Sequence, residues 1–240
     1  GKVADVEGYY ENAKINRVYV DRVHVKKAFA EYTAAYNADD PKIKLKIDHT
    51  YRVAALCERI AKAAGMCAYD VELAWLSGML HDVGRFEQIK RYNTFSDADS
   101  VDHAKFGADL LFKDGLISTF LNGMVKCTGY KPGALENRYS SDGVFLYDRL
   151  NKSDMEMLEL AIRCHNMYRI PQGLNRREQA FCNVLRDADK VDIFKVNIDT
   201  PLEEIYNTTT EELMKSDITD EVLEAFDEEH CILKAIRRTP

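Results

Sequence analysis

Five helical segments of this chain place a histidine or an aspartate on, or at the end of, an otherwise apolar stripe. His49 lies four residues after Leu45 and four before Val53, so it shares the stripe Leu45, Val53, Leu56, Ile60. His103 leads Phe106, Leu110 and Leu111, and His165 ends a run carrying Leu158, Ala161 and Ile162. Asp189 falls in the stripe Phe181, Leu185, Ile193. The pair His81-Asp82 closes the apolar run Val71 to Leu80. Stripes of this kind face a core, and an ionisable group buried there without a partner is costly. A single core histidine can bond a backbone carbonyl. Several together are better explained by a shared divalent ion, which removes much of the cost and is well served by mixed imidazole and carboxylate ligands. Neighbouring side chains on a helix point about 100° apart, so His81 and Asp82 meet one ion only if it lies just past the helix end.

Composition fixes the frame for such helices. The 240 residues, 46% of them hydrophobic, suffice for one large domain with terminal extensions. Only 12 Gly and 5 Pro argue for helices and short loops and against an all-β fold. A net charge of −7 argues against a nucleic-acid or anionic-membrane binder, while leaving room for a local basic pocket. No apolar run approaches the roughly 18 residues of a membrane span. The six cysteines form no Cys-x-x-Cys pair and fall mostly in apolar helical runs. They read as free thiols in a reducing compartment, and with no signal peptide visible the expected location is cytoplasmic.

Periodicity predicts a helix over 14–38, with His24 at its surface, and a second over 43–64 that Gly65 closes. Asp70 is expected to cap a helix over 71–83 that Gly84 breaks, and 86–99 reads as irregular. Asp99 or Ser100 opens the next helix, to Lys113, and 116–125 reads as a short helix. The stretch 126–150 reads as a loop or lid. Ser153-x-x-Glu156 is a capping box for a helix ending at His165. Asn175 with Glu178 starts another, to Val196, and Thr209-x-x-Glu212 is a further box in an acidic tail where His230 is solvated. The expectation is an all-α helical bundle: a metal-dependent domain over 44–196, an N-terminal helical extension over 1–43, and a C-terminal one over 197–240 packing on the same domain.

Four histidines and two aspartates exceed what one ion takes from protein when water and substrate also bind. They suit two adjacent ions with Asp82 as a bridge, an arrangement that holds both the attacking and the leaving oxygen of a phosphoryl displacement. The chain has no serine-hydrolase elbow and no phosphate-binding glycine loop. Arg85, Arg52 and Lys105 are the cations placed to bind a phosphate.

The order of these motifs resembles the HD-domain superfamily of metal-dependent phosphohydrolases. The segments are Asp48-His-Thr-Tyr-Arg-Val-Ala, Leu80-His-Asp-Val-Gly-Arg, and Ala188-Asp-Lys. His103-Ala-Lys-Phe-Gly-Ala-Asp-Leu-Leu and Ile162-Arg-Cys-His-Asn are similar to the extra histidine segments of two-metal members. Asn166 stands where those members have a second histidine, and the Gly-Tyr-Pro signature is absent. Both departures argue against a third metal and against the cyclic-di-nucleotide phosphodiesterase subfamily.

The resemblance covers about 44–196 and implies an all-α bundle with metals between its helices. It implies His49, His81, Asp82 and Asp189 around one ion and Asp82, His103 and His165 around a second. The ions implied are Fe, Mn, Co, Ni or Zn, with Mg as a further option. Attack of a metal-bound hydroxide on the phosphorus of a small-molecule ester or anhydride, a nucleotide in particular, is then expected, with His81, Asp82 and Arg85 as catalytic residues. Two other readings stand beside it: a metal- and nucleotide-binding module without turnover, and a di-iron oxygenase on the same fold.

Overall fold

A computed structural model of the chain describes residues 16–17, 20–121, 126–128, 145–146, 150, 152–201, 203, 205 and 208–228. The fold is all-α, as expected. Helix α1 (Arg22–Thr33) leads into α2 (Pro41–Ala63), α3 (Ala68–Leu80), α4 (Val83–Tyr92) and α5 (His103–Ala108), which runs on as one wide turn over Asp109–Lys113. After α6 (Ile117–Leu121) come α7 (Lys152–Cys164), α8 (Arg176–Asp199), α9 (Thr210–Met214) and α10 (Asp220–Asp227). Three short strands, β1 (Asn16–Arg17), β2 (Lys126–Thr128) and β3 (Phe145–Leu146), pair antiparallel in that order. β1 lies where the sequence reading has a helix, and most of the expected 126–150 lid falls outside the described residues, as does His230.

α3 is the centre. From Leu73 to Leu80 every residue is buried, and α2, α7 and α8 pack around it. The α2–α3 contact is backbone-close: a Cβ on Gly78 would lie 2.6 Å from Ala54 Cα. Cys57 and Cys182 are fully buried in this core, as small hydrophobes.

Local signals hold at several ends and fail at others. Asn175 and Glu178 form the expected capping box, as do Thr209 and Glu212. Gly65 closes α2 at φ +69, a left-handed conformation that costs glycine little. Asp70 is not the cap of α3: the helix starts earlier, after Cys67, and Asp70 instead receives Arg177 at 2.6 Å. Asp102, rather than Asp99 or Ser100, caps α5. α7 begins at Lys152, so Ser153 lies inside it.

Two corrections matter for the site. Gly84 does not break the chain into irregular structure; it sits in the first turn of α4. A Cβ there would meet His103 O at 2.5 Å and Gly107 N at 2.7 Å, so the glycine serves the crossing of α4 and α5. On α8, Ile193 is 43% exposed, and the buried face turns instead through Asp192 and Val196.

α1 buttresses the same region. Phe29 packs edge-on against Phe86 at 5.8 Å, and the Tyr32 hydroxyl donates to the Val83 carbonyl at 2.9 Å.

Candidate metal centre

α2 contributes His49, the end of α3 His81 and Asp82, α5 His103, the end of α7 His165, and α8 Asp189. The backbone turns sharply after α3 at His81 and Asp82, before α4 begins. That turn brings the two side chains to one point, as the sequence requires of neighbours 100° apart on a helix.

All six groups converge. His49 Nε2 lies 3.1 Å from Asp189 Oδ1 and 3.5 Å from Asp82 Oδ2. His81 Nε2 lies 3.5 Å from the same Asp82 oxygen and 3.7 Å from Asp189 Oδ1. The other oxygen of Asp82, Oδ1, faces His103 Nε2 at 3.5 Å and His165 Nε2 at 3.7 Å. Asp82 therefore divides two histidine pairs, one oxygen to each.

The far nitrogens fix the direction of each ring. His81 Nδ1 donates to the Gly78 carbonyl and His165 Nδ1 to the Ile162 carbonyl, each at 2.7 Å. Carbonyls only accept, so the Nδ1 atoms carry protons and the Nε2 atoms are the ones left to face inward. His49 Nδ1 is held by Asp192 and His103 Nδ1 by Asp97, each at 2.7 Å. Carboxylate and carbonyl partners of this kind orient metal-binding histidines. The inward nitrogens then face one another, His49 to His81 at 3.3 Å and His103 to His165 at 3.0 Å.

The arrangement fits cations. Two neutral imidazole lone pairs repel unless something positive lies between them. Asp82 Oδ1 is buried and has no hydrogen-bond partner among the described residues, a cost that an ion would remove. Among the described residues, two groups have ligand atoms close enough to hold an ion together: His49, His81, Asp189 and His81, Asp82, His165.

The electrostatics keep His103, Asp82 and Asp189 in forms that could bind a cation. Burial and the Arg85 guanidinium push His103 down to about 4, so it stays neutral near pH 7. Burial opposes the charge on Asp82, but Lys46 and then His81, His165 and His103 outweigh it and hold the carboxyl well below the usual range. Asp189 is held low in the same way, with His49 and His81 outweighing burial.

The three expected phosphate-binding cations are placed differently. Arg85 is at the site, its Nε 3.8 Å from Asp82 Oδ1 and without a hydrogen-bond partner among the described residues. Arg52 donates to both oxygens of Asp192, at 2.7 and 2.9 Å, and so stands behind His49. Lys105 is exposed and pairs with Asp102 at 2.8 Å.

The sequence reading missed three residues. Asp192 holds His49 and lies three residues after Asp189, a helical spacing that could have flagged it. Lys46 lies 2.7 Å from Asp82 Oδ2 and three residues before His49, the same kind of signal. Asp97, which holds His103, lies in the segment before α5 and carries no periodic signal.

A family model described as HD domain matches residues 47–194. The chain belongs to the HD-domain family. This is a family of metal-dependent hydrolases, and the matched segment carries all six converging residues. The crystal structure of a predicted HD superfamily hydrolase from an uncultured Thermotogales bacterium is 22% identical, with a TM-score of 0.42, over 73% of this chain and 74% of that one. No curated protein matches this HD-domain chain. Among its described residues, no helix is long and apolar enough to cross a membrane.

Proposed function

We propose that this HD-domain chain hydrolyses a phosphate ester or anhydride, with nucleotides as the substrate class, at a site for two divalent cations. His49, His81, Asp82 and Asp189 would hold one ion, and Asp82, His103 and His165 the other. The observation that carries the reading is Asp82: each of its oxygens faces a different histidine pair, and Oδ1 accepts no hydrogen bond among the described residues. Histidine-rich ligation favours Fe, Mn, Co, Ni or Zn over Mg.

Bound cations of this kind lower the pKa of water toward neutrality and offset charge building on phosphoryl oxygens. The protein's own part is positional. Asp97 and Asp192 fix the rings of His103 and His49, and the Gly78 and Ile162 carbonyls fix those of His81 and His165. Arg85 is braced through one nitrogen by Gln88, the Phe95 carbonyl and Asp97. Its Nε is left to donate to a phosphoryl oxygen above Asp82 Oδ1.

The test begins with protein purified without chelator and elemental analysis of bound metal. About two equivalents per chain, with turnover of at least one nucleotide mono- or diester or anhydride, is the expected result. Asp82→Ala should then lose both metal and turnover. Two equivalents with no turnover on such a panel would leave the binding module, and oxygen uptake with iron bound would mark the oxygenase.

A further inference from the structure

Lys46 has no role in the six-ligand scheme, yet it donates directly to the Asp82 carboxylate. It lies on α2 one helical turn before His49, with only 13% of its side chain exposed. Its ammonium sits 2.7 Å from Asp82 Oδ2, its single acceptor among the described residues, which leaves two N–H donors unused. It also stands over the Phe95 ring at 5.5 Å, and Arg85 stands over the same ring at 5.8 Å. The two cations thus pack on one aromatic ring and reach different oxygens of Asp82. Lys46 is on the side of His49, His81 and Asp189, and Arg85 on the side of His103 and His165.

A simple counter-ion for Asp82 would be well placed only while the site holds no metal. With two divalent cations bound, their charge exceeds that of Asp82 and Asp189, and an ammonium held beside them is repelled. An anion lying between Lys46 and the cations removes that repulsion. A phosphoryl group, dianionic as a monoester and with several acceptor oxygens, is matched to it.

We propose that Lys46 binds the phosphoryl group of the substrate directly, as the counterpart of Arg85 on the other side of Asp82. The proposal rests on the phosphohydrolase reading above. Lys46 would donate to a non-bridging phosphoryl oxygen, with no covalent step of its own.

The test uses the metal-loaded 240-residue chain and inorganic phosphate as the probe, titrated by calorimetry, beside kcat/KM for the best substrate of the panel. Lys46→Met should retain its metal by elemental analysis, bind phosphate about tenfold or more weakly, and lose about a hundredfold in kcat/KM. Lys46→Gln, which can still bond Asp82, should show the same losses, and it keeps the question open to refutation if Lys46→Met does not fold. Lys62→Gln, on the same helix but exposed, should match the wild type. Unchanged phosphate binding and turnover in Lys46→Gln would overturn the proposal and leave a counter-ion. Loss of metal in both variants would overturn it too, because Lys46 would then act through Asp82. A metal-loaded wild type that binds phosphate and turns over substrate, whatever the Lys46 variants do, leaves the phosphohydrolase reading standing. A wild type that does neither removes both.

Discussion

His103 shows how one buried residue links the site to the stability of the whole chain. Burial and Arg85 push it down to about 4 in the folded protein, while the unfolded chain protonates it near 6.5. Between those values the unfolded state binds the extra proton, so stability is full above about pH 6.5 and falls as the pH drops toward about 4. Asp82 and Asp189, held below their ordinary range, extend the loss in the same direction at lower pH. For chelated protein, the expected loss from His103 alone between about pH 7 and about pH 5 is about 2 kcal/mol. Thermal melts at the two pH values check it: His103→Gln should show a smaller drop than wild type, and an equal drop would contradict the assignment.

At the scale of elements, the site depends on two helix pairs whose backbones touch. Gly78 lets α3 meet α2, and Gly84 lets α4 meet α5 at the turn that carries His103. A methyl group on Gly84 would meet backbone atoms, which cannot swing away. Gly84→Ala should therefore push α5 outward and destabilise the protein by about 1–3 kcal/mol. On the proposed two-cation reading, it should also weaken binding at His103 and His165 more than at His49, His81 and Asp189. Metal content with stepwise loading, read beside denaturant melts, separates the two effects. A variant with wild-type stability and two equivalents of metal would show that the crossing has slack. The glycine was visible in the sequence as a helix breaker, but its use was not. Periodicity shows where a helix bends, and only a neighbouring helix shows why it must lack a side chain.

At the scale of the molecule, the six candidate ligands come from five helices spread over most of the chain, so a shared metal centre would tie the bundle together. An ion that binds only the folded state stabilises it by mass action, about 2.7 kcal/mol at a hundred times its dissociation constant. Chelation should lower Tm by several degrees and readdition of Mn or Zn should restore it; no change in Tm would count against a shared metal centre. Away from the ions, Arg177 joins α8 to α3 and α7 through Asp70 at 2.6 Å and Asp154 at 2.8 Å. Asp154 is buried, so Arg177→Met should cost about 2–3 kcal/mol in denaturant melts while leaving metal content unchanged.

The sequence by itself determined the helical class, the capping boxes at Asn175 and Thr209, and the ionisable residues that lie on apolar stripes. These are properties of spacing: a stripe every three or four residues fixes which side chains face inward before any partner is known. The tertiary structure alone decided what those side chains meet. Asp97 reaches His103 from an aperiodic segment, and Arg52 is committed to Asp192 and not to a ligand. Lys46, an ordinary lysine in the sequence, lies against the Asp82 carboxylate in the turn between two other helices. Each is a contact between elements set by how the helices cross, and helical periodicity carries no information about crossing.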